Sequence, residues 1–215
     1  MATADAGDGP TPVAVPLSRI ERRRDRKVAS ILAAAAEVLS ERGYHGLNLD
    51  EIAERLDLTK ASLYHYFPSK EELVSACLES LAVSANQRLA DAAVDIFGSA
   101  SDRLSTLIKV QLTIILREQP QLAALFLQPL DWPERYRQRT RALRLEHDAI
   151  FRTVVRDGIA SGEFVADEQV AMHNLYGAMN YTPVWFSGRT KTEFETMATA
   201  VSANLLRLFV PPGHV

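Results

Sequence analysis

The sequence predicts an all-α protein of about nine helices, in which an amino-terminal three-helix unit built on a helix-turn-helix precedes a larger helical domain. Three observations predict it. The stretch NLDEIAERLDLTKASLYHYFPSK, Asn48 to Lys70, holds three helix-start signals spaced roughly as a helix-turn-helix requires. Beyond Lys70 the chain carries apolar residues at three- and four-residue steps over long segments. No segment alternates with the two-residue period that a sheet would show.

Residues 1–16 are rich in Ala, Gly and Pro and lack periodicity, so 1–17 reads as a disordered leader. Between Ser18 and Ser30 the basic residues Arg19, Arg22, Arg23, Arg24, Arg26 and Lys27 face only Glu21 and Asp25. A net charge of −3 argues at first against nucleic acid, but this clustering puts positive charge immediately ahead of the helix-turn-helix. The run reads as an arm that reaches phosphates or the minor groove, in preference to a solvated charge run.

A helix is expected over about 25–42, with Val28, Ile31, Leu32, Ala35, Val38 and Leu39 on one stripe and Gly43 ending it. Asn48 and Glu51 form a capping box flanked by a Leu47–Ile52 staple, so a second helix starts near Leu49. Thr59 caps a third, over 60–66, with Leu58 and Leu63 in the staple positions. Ser69 with Glu72 caps a fourth, and Pro68 biases Phe67 away from helical geometry. On the third helix Leu63 and Phe67 face inward, leaving Lys60, Ala61, Tyr64 and His65 outward. A face of small, hydroxyl-bearing and imidazole side chains with one cation suits a helix pressed into a DNA major groove.

At these residues TKASLYHYFPSKEEL resembles the end of the DNA-binding motif of the TetR family of one-component transcriptional regulators. There a small residue, Leu-Tyr-aromatic-aromatic-Phe and Ser/Asn-Lys-Glu recur, and the match covers about Arg24 to Leu73. Asp57 stands where the family usually has Gly, and Ala61 where Gly is frequent. Asp tolerates left-handed geometry, so the turn is expected to persist. The resemblance implies a DNA-binding domain with basic arm over 18–70 and a ligand-binding and dimerisation domain over 71–215. It points Arg22, Arg23, Arg24, Thr59, Lys60, Ala61, Ser62, Tyr64, His65, Tyr66 and Lys70 at double-stranded DNA. It also implies that Tyr44, the aromatic after Gly43, plugs the three-helix core.

Later helices are expected over 71–97, with Leu73, Ala76, Cys77, Leu81 and Leu89 inward, and over 102–118, with Leu104, Leu107, Ile108, Leu112 and Ile115 inward. Gly98 and Ser99 separate them. A short helix over 120–128, a loop over 129–133, and helices over 134–161, 167–186 and 191–210 complete the set. In the resembled family the carboxy-terminal domain encloses a small-molecule pocket and its last two helices pair with those of a second subunit. Leu175, Ala178, Met179, Thr182 and Phe186, with Met197, Val201, Leu205 and Leu208, offer apolar surface for such a homodimer. A dimer would set two recognition helices about 34 Å apart on a palindromic operator.

Pocket candidates are Phe126, Trp132, Tyr136, His147, Phe151, His173, Tyr176, Asn180 and Trp185, each of which taken singly fits an ordinary core or interface role as well. The run from Gly177 through Trp185 resembles members that govern fatty-acid or steroid breakdown and sense acyl-CoA thioesters. That resemblance would bring Arg137, Arg141 and Arg144 to CoA phosphates, unless their three- and four-residue spacing marks one solvated face. No glycine-rich phosphate loop, nucleophile elbow or zinc spacing occurs, so neither enzyme activity, cofactor nor metal is expected. The single Cys77 excludes an internal disulfide, and with no apolar run of about 18 residues and no secretory signal a cytoplasmic, non-membrane protein is expected. The expected function is a ligand-responsive DNA-binding regulator, a repressor in most such proteins. The alternative is a helical scaffold or partner-binding protein that has lost DNA binding.

Overall fold

The computed structural model describes residues 18–94, 98–120 and 134–210. Within them run eight α-helices: α1 (Arg19–Gly46), α2 (Leu49–Arg55), α3 (Lys60–Tyr66), α4 (Lys70–Ala93), α5 (Ala100–Thr113), α6 (Glu134–Ser161), α7 (Glu168–Trp185) and α8 (Lys191–Leu206). A π-helical turn, Ile114–Glu118, continues α5. The described residues contain no strand. The expected leader, the short helix over 120–128, the loop to 133, and with them Phe126 and Trp132, lie outside the described residues.

α1 corrects the sequence reading at its start. Ser18 accepts from the Glu21 backbone at 3.2 Å while Glu21 Oε2 accepts from the Ser18 N–H at 2.7 Å, a reciprocal cap that starts the helix at Arg19. Arg19 to Lys27 are therefore the first turns of a helix and not an arm. At the other end Gly43, with φ of +66° and ψ of −176°, breaks the helical geometry where the sequence predicts, and one more turn beyond the break carries Tyr44 and His45. Tyr44 is half-buried at the rim. Its ring packs against the core, as the resemblance implies, while its hydroxyl donates to Glu71 Oε1 at 3.2 Å. Ile31, Ala35, Val38, Ile52, Leu63 and Leu73 fill that core completely, each with no exposed surface.

α2 begins at Leu49, but Asn48 accepts from Asp50 N–H at 2.9 Å and Glu51 does not close a box. Glu51 bridges Arg42 at 2.7 Å and Arg55 at 2.8 Å instead, tying α2 to α1. The α2–α3 turn passes through Asp57 at φ of +50°, and the Leu58 N–H returns to the Ala53 carbonyl at 2.9 Å, the long bond of a Schellman motif.

α4 packs on α1, α5 and α6, and α5 packs in turn on α6 and α8. Two contacts set where α5 begins. Glu163 accepts from the Ala100 and Ser101 N–H groups, both at 2.8 Å. A Cβ on Gly158 would lie 2.3 Å from Phe164 Cδ2 and 2.8 Å from Ala100 Cβ, so only glycine permits this crossing. Of the expected dimer stripe, Leu175, Met179, Thr182 and Leu205 are buried in the protomer's own core, whereas Ala178 and Leu208 are exposed and Phe186, Met197 and Val201 half-buried. With Ala178 and Leu208, the exposed Tyr181, Val184 and Trp185 give these last helices an outward apolar surface.

Candidate nucleic-acid interface and effector cavity

α3 takes its position from three anchors. Thr59 Oγ1 accepts from the Ser62 N–H at 3.1 Å and donates to Ser62 Oγ at 2.9 Å, so both hydroxyls serve the cap. Lys60 Nζ pairs with Asp50 of α2, and that hydrogen bond raises the lysine above its ordinary pKa. Behind the helix, Leu63 (0% exposed) and Phe67 (8%) lock it onto α1 and α2. In front, Lys60, Ala61, Tyr64 and His65 are exposed, Tyr64 by 46%, and Tyr66 is half-buried. The His65 and Tyr66 rings meet edge to face at 5.7 Å.

Beside this face runs an open groove. Ile20, Arg23, Arg24, Arg26, Lys27 and Ser30 of α1 line one wall and His65 and Tyr66 the other, and no acidic residue lines it. Because α1 is helical here, the periodicity turns Arg23, Arg24 and Lys27 toward α3, while Arg22 does not line the groove. Arg26 and Lys27 were not among the predicted site residues; extending the helix back through Ser18 and Glu21 would have found them. Lys70 is held elsewhere: its Nζ donates to the His45 carbonyl at 3.2 Å and lies 4.8 Å from the Tyr44 ring centre.

A second site lies between α4, α5 and α6. Leu78, Ala82 and Ala85 of α4, Ile114 and Ile115 of the π-turn and Leu143 of α6 form its apolar walls, around an empty volume of about 640 Å³ that includes the open mouth. The two isoleucines belong to the π-turn, a rare geometry frequent at functional sites. Polar groups are few: Glu79, Asn86, Gln111, Thr140, Arg144 and His147. Asn86 Nδ2 donates to the Leu143 carbonyl at 3.0 Å, and His147 Nε2 lies 3.1 Å from Gln111 Oε1. Burial pushes His147 down to about 4, so the ring is neutral near pH 7 and its Nε2–H donates to Gln111.

Of the predicted pocket residues, His147 lines this cavity, and Phe151 and Tyr176 stack behind it at 5.3 and 5.7 Å. Burial raises the Tyr176 phenol well above its ordinary value. The others are placed elsewhere. Tyr136 is buried but lines a separate groove under the head with Tyr66, Phe67 and Arg139. His173 is exposed, with Nδ1 2.6 Å from the Gln169 carbonyl; Asn180 does not line the cavity; Trp185 is 51% exposed on the outer face of α7. Arg144 reaches the mouth, whereas Arg137 pairs with Glu134 and neither it nor Arg141 lines the cavity. Gln111 and Asn86 were missed. The signal for Gln111 was a lone amide in the apolar stripe of Leu104, Leu107, Ile108 and Leu112. Among the described residues no group of three or more His, Cys, Asp or Glu could hold a metal ion, and no helix is long and apolar enough to cross a membrane.

A braced helix-turn-helix thus precedes a helical body that carries an apolar cavity, the architecture of a helix-turn-helix protein with a separate helical domain. Residues 31–77 match the family model described as bacterial regulatory proteins, tetR family, and residues 98–209 match that of the tetracyclin repressor-like C-terminal domain; the chain belongs to the TetR family. The transcriptional activator FasR of Mycolicibacterium smegmatis is 46% identical over 56 residues and RutR of Escherichia coli is 44% identical over 55, in each case 26% of both chains. The chain thus spans about a quarter of the length of these curated relatives. The fatty acid metabolism regulator protein of Bacillus subtilis is 21% identical over 196 residues, 90% of this chain and 98% of its own. Among solved structures, a TetR/AcrR-family regulator from Thermobifida fusca superposes with a TM-score of 0.71 at 27% identity, covering 88% of this chain and 99% of that one. FadR of Bacillus subtilis in complex with stearoyl-CoA superposes at 0.69 and 22% identity, covering 82% and 96%, a likeness of fold.

Proposed function

We propose that this protein is a homodimeric transcriptional regulator that holds a palindromic operator until a lipid-derived effector, an acyl-CoA thioester in particular, releases it. The observation that carries the DNA half is the exposed front of α3 set against an acid-free basic groove on α1. Tyr64 and His65 would read base edges, with Ala61 allowing close approach. Lys60, Tyr66, Arg22, Arg23 and Arg24, joined by Arg26 and Lys27, would meet phosphates, and Thr59 and Ser62 hold the helix start. Lys70 would act chiefly through the α1–α4 junction it braces. In these terms the DNA-binding head spans 18–70 and the effector and dimer domain follows it.

The effector half is supported by the apolar cavity with Arg144 at its mouth and by a relative of the same fold that binds stearoyl-CoA. The outward stripe of Tyr181, Val184, Trp185 and Leu208 suits a second copy of the chain. Release would be a population shift: an effector that prefers the head spacing unsuited to DNA weakens operator binding by the ratio of its affinities for the two states. This role involves no catalysis and places the protein in the cytoplasm with the DNA.

Fluorescence anisotropy with promoter duplexes tests the reading. Binding should weaken steeply with salt and again on adding palmitoyl-CoA. Salt-independent binding, or none to any duplex, would reject DNA regulation and leave the partner-binding scaffold.

A further inference from the structure

The effector cavity is lined by a buried amide that the fold leaves half used. Gln111 is 3% exposed, sits on the apolar stripe of α5 and lines the cavity. Its Oε1 is engaged by His147 Nε2 at 3.1 Å, and its side chain makes no other hydrogen bond among the described residues. An amide N–H on the cavity wall that no described side chain or carbonyl accepts gains a partner when a ligand supplies one.

From this geometry we infer that Gln111 is the group that selects the effector's head: its amide N–H donates to an uncharged carbonyl of the thioester, ester or amide type, and a free carboxylate is disfavoured at the same place. The inference deepens the lipid-effector reading and rests on it.

The surrounding groups argue for an uncharged acceptor. His147, the neighbour of Gln111, is neutral because burial suppresses its protonation, so it supplies no counter-charge. Glu79 lines the same cavity and would repel a carboxylate. Arg144, the cation of this lining, is exposed at the mouth, where it suits a phosphate better than a buried head. A carboxylate taken to Gln111 would thus be desolvated without a cation, whereas a thioester carbonyl needs only one donor. The side chains of Leu78, Ile114, Ile115 and Leu143 then cover the hydrocarbon.

The test isolates the carbonyl. Titration calorimetry on the full-length protein compares palmitoyl-CoA, its thioether analogue S-hexadecyl-CoA, which lacks only the carbonyl oxygen, and palmitate. The wild type should bind the thioester about ten-fold tighter than the thioether and than palmitate, of the order expected for one buried hydrogen bond. Gln111→Leu should erase the thioester–thioether difference while binding the thioether as the wild type does. Gln111→Met provides the same comparison should the leucine variant fold poorly, as read by its melting temperature. A thioester preference that survives in either folded variant overturns the assignment, as does equal wild-type affinity for palmitate and palmitoyl-CoA. If both CoA compounds bind the wild type equally, the role of Gln111 fails and the lipid reading stands. If neither they nor palmitate bind, both fail together.

Discussion

Helix α3 and the apolar cavity are built in opposite ways. Eight consecutive residues, Thr59 to Tyr66, make the first, among them the threonine cap, a buried leucine and four outward side chains, all decided by local spacing. The second is assembled from three helices that bring together residues as far apart as Leu78, Gln111 and His147. A locally coded surface keeps its form as long as its brace holds. A convergent cavity depends on every crossing that aligns its walls, and so it is both harder to read and easier to retune.

Removing the brace should produce the largest effect. Leu63→Ala empties a site with no exposed surface in the small core of the head, and unfolding should become easier by roughly 2–5 kcal/mol in urea titration. A loss under about 1 kcal/mol would mean that α3 is not pinned where the structure puts it. On the convergent side, Gly158→Ala drives a methyl into Phe164 and Ala100 and should cost about 1–3 kcal/mol. Because that crossing aligns α5 with α6, effector affinity should fall with it while DNA binding at permissive temperature persists.

Acid separates the regions next. His147 titrates near 4 in the fold against an ordinary 6.5, so below 6.5 the unfolded chain takes up the proton first. The stability associated with the neutral ring is fully present above pH 6.5 and is lost as pH falls toward 4, amounting to roughly 2 kcal/mol once water access to a half-buried ring is allowed for. His147→Phe should lose that component of the pH dependence; an unchanged profile would place the proton elsewhere. The smallest effect belongs to the basic groove. Replacing Arg23 and Arg24 together by alanine should leave the melting temperature nearly unmoved and lower the slope of log affinity against log salt by about 0.9 for each phosphate that is no longer neutralised.

The same contrast explains what could be read from residues alone. α3, its cap at Thr59 and the left-handed Asp57 are matters of near neighbours, and pattern rules reach them. The start of α1 was equally local, a Ser18–Glu21 box, but the density of arginines behind it drew the reading toward an arm. At Asn48 the pattern of a capping box was present and yielded to a tertiary partner, since Arg42 claims Glu51. On α7 the stripe of Leu175, Met179 and Thr182 was legible as apolar, but choosing between its own core and a second subunit needed the position of α5. Two of the residues chosen for the pocket lie away from the cavity for that reason. Trp185 and His173 share a helix with Tyr176 yet point outward, and Gln111, which does line the cavity, belongs to a helix read only as core.

The central claim is that the front of α3 reads duplex DNA as one half of a symmetric pair, and selection of bound duplexes from a random library by the full-length protein tests it most directly. The account predicts an inverted repeat whose half-sites are centred about one helical turn, roughly 34 Å, or a multiple of it apart, with base preference within each half-site altered by Tyr64→Ala or His65→Ala. Recovery of no preferred sequence, or of the same half-site with both variants, would contradict it.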